Sequence, residues 1–154
     1  MLCTLIILMG CQHQVTAQQI TTHFSIPLRQ LVVTSPYGYR IHPITGKRTF
    51  HHGVDFSARS DTVFAVIDGT VESIGNHPAL GRFIRLSHGQ ITTVYGHLSV
   101  IGVKAGQYVR SGQAMAITGS TGRSTGEHLH FTVRHHARTI DPIRFFSLLQ
   151  KLWQ

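Results

Sequence analysis

Gly119-Ser-Thr-Gly-Arg-Ser-Thr-Gly-Glu-His128-Leu-His130-Phe131 reads as a glycine- and hydroxyl-rich loop feeding a β-strand that runs from His128 to about Arg134. Small residues at a strand entry let backbone and ligand come close. Successive strand side chains point to opposite faces, so His128 and His130 share one face, roughly 7 Å apart at the backbone. Glu127 should face away from His128, which makes it a poor general base, and no His-Glu-x-x-His helix motif occurs in the chain. Two other segments carry related chemistry. His51-His52-Gly53-Val54-Asp55 lies upstream, and Tyr95-Gly96-His97-Leu98 lies between. Together the three supply three or four imidazoles and one carboxylate, enough for a zinc site with catalytic residues around it.

The chain around that strand has the punctuation of an all-β domain, in which short β-branched runs alternate with turn residues. Thr62–Ile67 and Thr70–Ile74 flank Asp68-Gly69, which predicts a hairpin; Arg82–Leu86 and Gln90–Tyr95 flank His88-Gly89, which predicts a second. Asp141-Pro142 predicts an N-cap and first turn for a short helix through Leu152, with Ile143, Phe146 and Leu149 on its apolar face. That helix is expected to close one end of the sheet.

With 154 residues, one domain is expected, large enough for a proper core. A formal net charge of +8 favours polyanionic partners, among them acidic cell-wall polymers. No Lys/Arg block exceeds the pair Lys47-Arg48, and neither a recognition helix nor aromatic platforms are apparent, so nucleic acid is not an expected partner. Both cysteines, Cys3 and Cys11, precede residue 12, which excludes a disulfide framework or Cys-ligated zinc in the body of the domain. The apolar start, followed by Val15-Thr16-Ala17, reads as a signal peptide over residues 1–17. The alternative is a lipobox at Leu8-Met-Gly-Cys11, with residues 1–10 removed and Cys11 lipidated, the one expected route to membrane attachment. Residues 18–30 then form a short lead-in and 31–154 the functional domain, exported to the cell envelope and expected to be monomeric.

Of the 12 histidines most need no function: His13 and His23 fall in the leader region, and His77, His88, His135 and His136 in turns or exposed ends. His51 and Asp55 are different. Fully extended, their Cα atoms would lie about 13 Å apart, so the chain must bend to bring both to one metal, and Gly53 is where bending is easiest. His52 rivals His51 as the ligand.

Taken together, Ser35-Pro-Tyr-Gly-Tyr-Arg40-Ile-His-Pro-Ile-Thr-Gly46, His51-His-Gly-Val-Asp55, Val94-Tyr-Gly-His97-Leu-Ser99 and the 119–131 segment closely resemble the lysostaphin/LytM-type zinc endopeptidases, from about residue 33 to 146. The resemblance implies a small, mainly antiparallel β-domain with its site in a groove. It implies one zinc ion per chain on His51, Asp55 and His130, which decides for His51 over His52, with His97 and His128 as catalytic histidines. It does not divide base from stabiliser between those two. Peptidoglycan is the implied substrate, cut in its peptide stems or cross-links. Tyr37, Tyr39, Arg40, His42 and the loop 75–82 are candidates for the groove wall. The rival on the same fold is a non-catalytic wall-binding or hydrolase-activating module, which would lose some of these five residues; here all five are present.

Overall fold

The computed structural model describes residues 24–41 and 45–152; the leader reading, both cysteines and His42 lie outside them. In chain order the described residues form β1 (Val33–Ser35), β2 (Gly38–Ile41), β3 (Arg48–His51), β4 (Val54–Ser57), β5 (Thr62–Phe64), β6 (Gly69–His77), β7 (Gly81–His88), β8 (Ile91–Ile101), β9 (Tyr108–Val109), β10 (Ala114–Thr118), β11 (His128–His135), β12 (Arg138–Ile140) and α1 (Pro142–Leu152). Every pairing among them is antiparallel. The expected mainly β domain with one short C-terminal helix is what forms. Among the described residues, no helix is long and apolar enough to cross a membrane.

One sheet dominates, in the order β1-β4-β11-β8-β7-β6-β9, with β12 added on β11 and β10 joining β5 to β8; β2 and β3 form a separate ribbon. Period-2 alternation divides β11 cleanly. Leu129, Phe131 and Val133 are fully buried against Val54, Phe56, Ile84, Leu86 and Tyr95, so His128, His130, Thr132 and Arg134 are committed to the opposite face. The core also reaches back before residue 31. Leu28 is buried within it, and the Phe64 N–H donates to Pro27 O at 3.0 Å, so part of the stretch read as a lead-in packs with the domain.

The hairpin at His88-Gly89 forms, with His88 opposite Ile91 and Gly89 at φ +81°. The one expected at Asp68-Gly69 does not: β5 pairs with β10, while β6 pairs with β7 and β9. The Asp68 carboxylate instead accepts from Ser111 N–H at 2.7 Å and from Tyr108 Oη at 3.0 Å, which draws the chain toward β9. Local turn propensity yields there to side-chain bonds made across 40 and 43 residues. Helix α1 is capped by Asp141, whose Oδ1 accepts the Ile143 N–H at 2.9 Å. Its buried face is Phe145 and Leu149, with Phe146 stacked on Phe131 at 5.5 Å, whereas Ile143 is exposed, a rotation of the expected face.

Candidate metal centre and groove

Strand register places the acidic residue and the histidine pair together. β11 lies between β4 and β8, with His130 opposite Asp55 on one side and Gly96 on the other, and His128 opposite Ser57. Opposed residues in adjacent strands project from the same face, so Asp55, His130 and His128 converge. His51 ends β3 and returns over them through the bend at His52-Gly53. Gly53 is needed for close approach rather than for a left-handed backbone. A Cβ there would stand 2.6 Å from Phe131 O, 2.7 Å from Thr132 Oγ1 and 2.8 Å from His130 Cε1.

His51 Nε2, Asp55 Oδ1 and His130 Nδ1 meet at one point. The separations are 3.2 Å between the two imidazole nitrogens, 3.2 Å from His51 to Asp55 and 2.7 Å from His130 to Asp55. A tetrahedral zinc with ligands near 2.0–2.1 Å needs edges of about 3.3 Å, so this donor set is close to the size such an ion requires. Tautomers agree. His51 Nδ1–H donates to Pro36 O at 2.9 Å, and His130 Nε2 pairs with Thr132 Oγ1 at 3.1 Å, leaving a lone pair on the inward nitrogen of each ring. Burial raises the Asp55 carboxyl, but hydrogen bonds and charge from His130 and His51 outweigh it and hold the group well below the ordinary carboxylate range. Burial likewise lowers His130, against the pull of Asp55. His52 points elsewhere and pairs with Thr139 Oγ1 at 3.2 Å.

His97 reaches the cluster by a backbone exception. Gly96 faces the site opposite His130, so alternation alone would turn His97 to the far side. Its φ of +59° and the irregular register of β8 with β7 and β10 break that alternation. The ring comes to 4.5 Å from that of His128 and 5.9 Å from that of His130, between centroids. A non-glycine residue held left-handed costs about 1–3 kcal/mol, and such strain collects at functional sites. His97 Nδ1–H donates to Thr121 O at 2.7 Å and His128 Nδ1–H to Gly126 O at 2.8 Å, so both present Nε2 as an acceptor. His128 Nε2 lies 3.7 Å from Asp55 Oδ1. Burial, aided by the two neighbouring imidazoles, lowers His97 to about 4. Glu127 is taken up elsewhere, by Ser60 N–H and by Thr118 Oγ1 at 3.0 Å.

Three adjoining cavities, of about 830, 400 and 400 Å³, form a groove over this cluster. Tyr37, Tyr39 and Arg40 line it, and so do His77, Ala79 and Leu80 from the 75–82 turn. Tyr37 Oη donates to Thr139 O at 2.9 Å, tying the ribbon side of the groove to β12. Arg40 Nη2 stands 3.6 Å from Asp55 Oδ2, on the oxygen turned away from the histidines. The supporting carbonyls of Pro36, Thr121 and Gly126 were not legible in the sequence, because any residue type can supply a carbonyl.

A fold and site of this kind belong to the metallopeptidases. The family model described as Peptidase family M23 matches residues 49–142, and the chain belongs to that family. An uncharacterized metalloprotease of Haemophilus influenzae is 45% identical over 119 residues, 75% of this chain and 25% of that protein. The peptidoglycan DD-endopeptidase ShyB of Vibrio cholerae is 40% identical over 107 residues, 68% of this chain and 25% of that protein. The chain thus spans about a quarter of the length of these curated relatives. Among solved structures, a zinc-containing peptidase from Vibrio cholerae superposes with a TM-score of 0.71 at 38% identity, over 77% of this chain and 38% of that one. The lysostaphin catalytic domain from Staphylococcus simulans does so at 0.68 and 32%, over 76% and 92%.

Proposed function

We propose that this chain is a zinc-dependent endopeptidase that hydrolyses peptide bonds in the stems or cross-links of bacterial peptidoglycan, and that it acts in the cell envelope. The observation that carries the reading is the convergence of His51 Nε2, Asp55 Oδ1 and His130 Nδ1 within 3.2 Å, with two further imidazoles beside them. In this reading the three residues hold one zinc ion per chain, whose Lewis acidity polarises the scissile carbonyl and lowers the pKa of water. His97 and His128, each with Nδ1 committed to a carbonyl, offer Nε2 to the reaction. One accepts the proton of the attacking water and returns it to the leaving amine; an Nε2 that carries a proton can donate to the developing oxyanion. Burial keeps the His97 ring neutral near pH 7, so its Nε2 carries a free lone pair there. The names of relatives such as the DD-endopeptidase ShyB support peptidoglycan as the substrate.

The test is release of muropeptides from purified peptidoglycan, with zinc, with chelator, and by His128→Ala and His51→Ala. Cleavage should vanish with chelator and in both variants, with zinc binding lost only in His51→Ala. A chain that binds the wall with zinc but releases nothing would replace the enzyme with a binding module.

A further inference from the structure

The largest cavity of the groove is one-sided in charge. It extends from His130 between the β2–β3 ribbon and β12, and Arg85, Arg134 and Arg138 line it; no acidic residue is among its described lining residues. The sheet explains how two of these reach it. Arg85 lies opposite Val94, and Val94 opposite Thr132, so Arg85 shares the face of Thr132, His130 and Arg134. By strand geometry Arg134 stands about 13 Å along β11 from His130, and Arg85 lies about 10 Å across the sheet from Thr132. Extending toward the site, their guanidiniums would meet a group about two extended residues from the bond being cut.

Neither arginine is used up by the protein. Among the described residues Arg85 has one acidic neighbour, Glu72 at 3.9 Å on the exposed side, and lies 6.0 Å from the Phe83 ring centroid, while its Nε is buried without a hydrogen-bond partner. Among the described residues the Arg134 guanidinium makes one bond, to Ala137 O at 3.2 Å. Buried guanidinium N–H groups are normally satisfied, and planar N–H forks match carboxylates two-pronged. The opposite wall is aromatic, with Tyr37 edge-on to Phe50 at 5.1 Å, suited to the hydrocarbon part of the same ligand.

Resting on the peptidase reading, we propose that this half of the groove is a carboxylate subsite: Arg85 and Arg134, with Arg138 at the rim, bind a free carboxylate on the peptide being cut. The substrate class is an acidic cross-linked peptide. An uncharged glycine bridge would leave both arginines unpaired.

The probes are a synthetic cross-linked stem dimer with free carboxylates and two relatives of it. One has only its C-terminal carboxylate converted to carboxamide, the other only the carboxylate of its diamino acid. Calorimetry measures binding of each to the chain with the substrate-inert His128→Ala change, and turnover is measured with the zinc-loaded chain. One of the two amidations should weaken binding and kcat/KM about 10- to 100-fold, chiefly through KM, and it names the carboxylate. Arg85→Gln and Arg134→Gln should impose a similar loss on the free acid and a much smaller one on that amide, with unchanged melting temperature confirming folded protein. Equal binding of all three peptides, or full discrimination retained by the double glutamine variant, overturns the subsite. Failure of the peptidase reading shows separately, as absent turnover of every peptide, and calorimetry still decides the subsite.

Discussion

Gly53 sits where β3 turns into β4, and replacing it with alanine should damage the proposed metal centre without touching a proposed ligand. A Cβ at this position would be 2.6 Å from Phe131 O and 2.7 Å from Thr132 Oγ1, against ordinary contacts from 3.4 Å. The worst contact is with backbone, so no rotamer change relieves it. The bend carrying His51 and Asp55 must then move roughly 0.8 Å from β11, several times the ±0.2 Å tolerance of a metal–ligand distance. Overpacking of this kind costs about 1–3 kcal/mol, or roughly 3–5 °C of melting temperature per kcal/mol for a domain of this size. Because His51 and Asp55 shift against His130, zinc affinity should fall at least as far as when supporting residues around a site are removed, about 10- to 100-fold. Chelator competition reads the affinity and a thermal melt without metal reads the stability. Gly102→Ala, whose nearest contact would be 3.4 Å, is the matched control. Gly53→Ala with wild-type zinc affinity would refute the argument that close approach to β11 sets the ligand geometry.

Arg40→Ala frees Asp55 Oδ2 from the guanidinium 3.6 Å away, and zinc affinity measured by competition should drop by about 10-fold or more; an unchanged value would mean that the contact does not restrain the carboxylate. Glu127→Ala removes the acceptor for Ser60 N–H and Thr118 Oγ1, and should lower stability by about 1–3 kcal/mol while turnover well below the melting temperature changes little. A large loss of turnover would give Glu127 a chemical role that its placement does not provide. The metal-free chain should lose stability as pH falls below 6.5. Burial lowers both His88 and His97, the latter to about 4, so between those values the unfolded chain binds protons that the folded chain refuses. Asp55, held below its usual range, acts only at lower pH. Urea titrations at pH 7.5 and 5 check this, and equal stabilities would contradict it.

The ligand chemistry was legible because it is local. His128 and His130 two apart in a strand must share a face, and the strand of β11 begins at His128 as expected. The His88-Gly89 turn and the Asp141 cap were readable for the same reason, since a few adjacent residues decide them. The hairpin at Asp68-Gly69 was misread because bonds to Tyr108 and Ser111, far along the chain, outcompeted the local turn. The helix face was read in part: Phe146 stacks on Phe131 and Leu149 is buried as their spacing implies, but Phe145 takes the buried place expected for Ile143.

Residue type and spacing by themselves narrowed the candidate ligands to a few histidines and one aspartate, with His51 and His52 still rivals, and determined which strand carries the histidine pair and that the domain is β-rich. The tertiary structure alone decided the rest. Register across β4, β11 and β8 set Asp55 and Gly96 on either side of His130. A left-handed His97 reversed the alternation that its sequence position implies, and Gly53 earned its place through contact with a strand nearly 80 residues away. The same sheet put Arg85 and Arg134 on the site's face. The physical reason is common to all four: a strand's own sequence sets which residues alternate, but only hydrogen-bonded neighbours set which rows align and which face closes on the core.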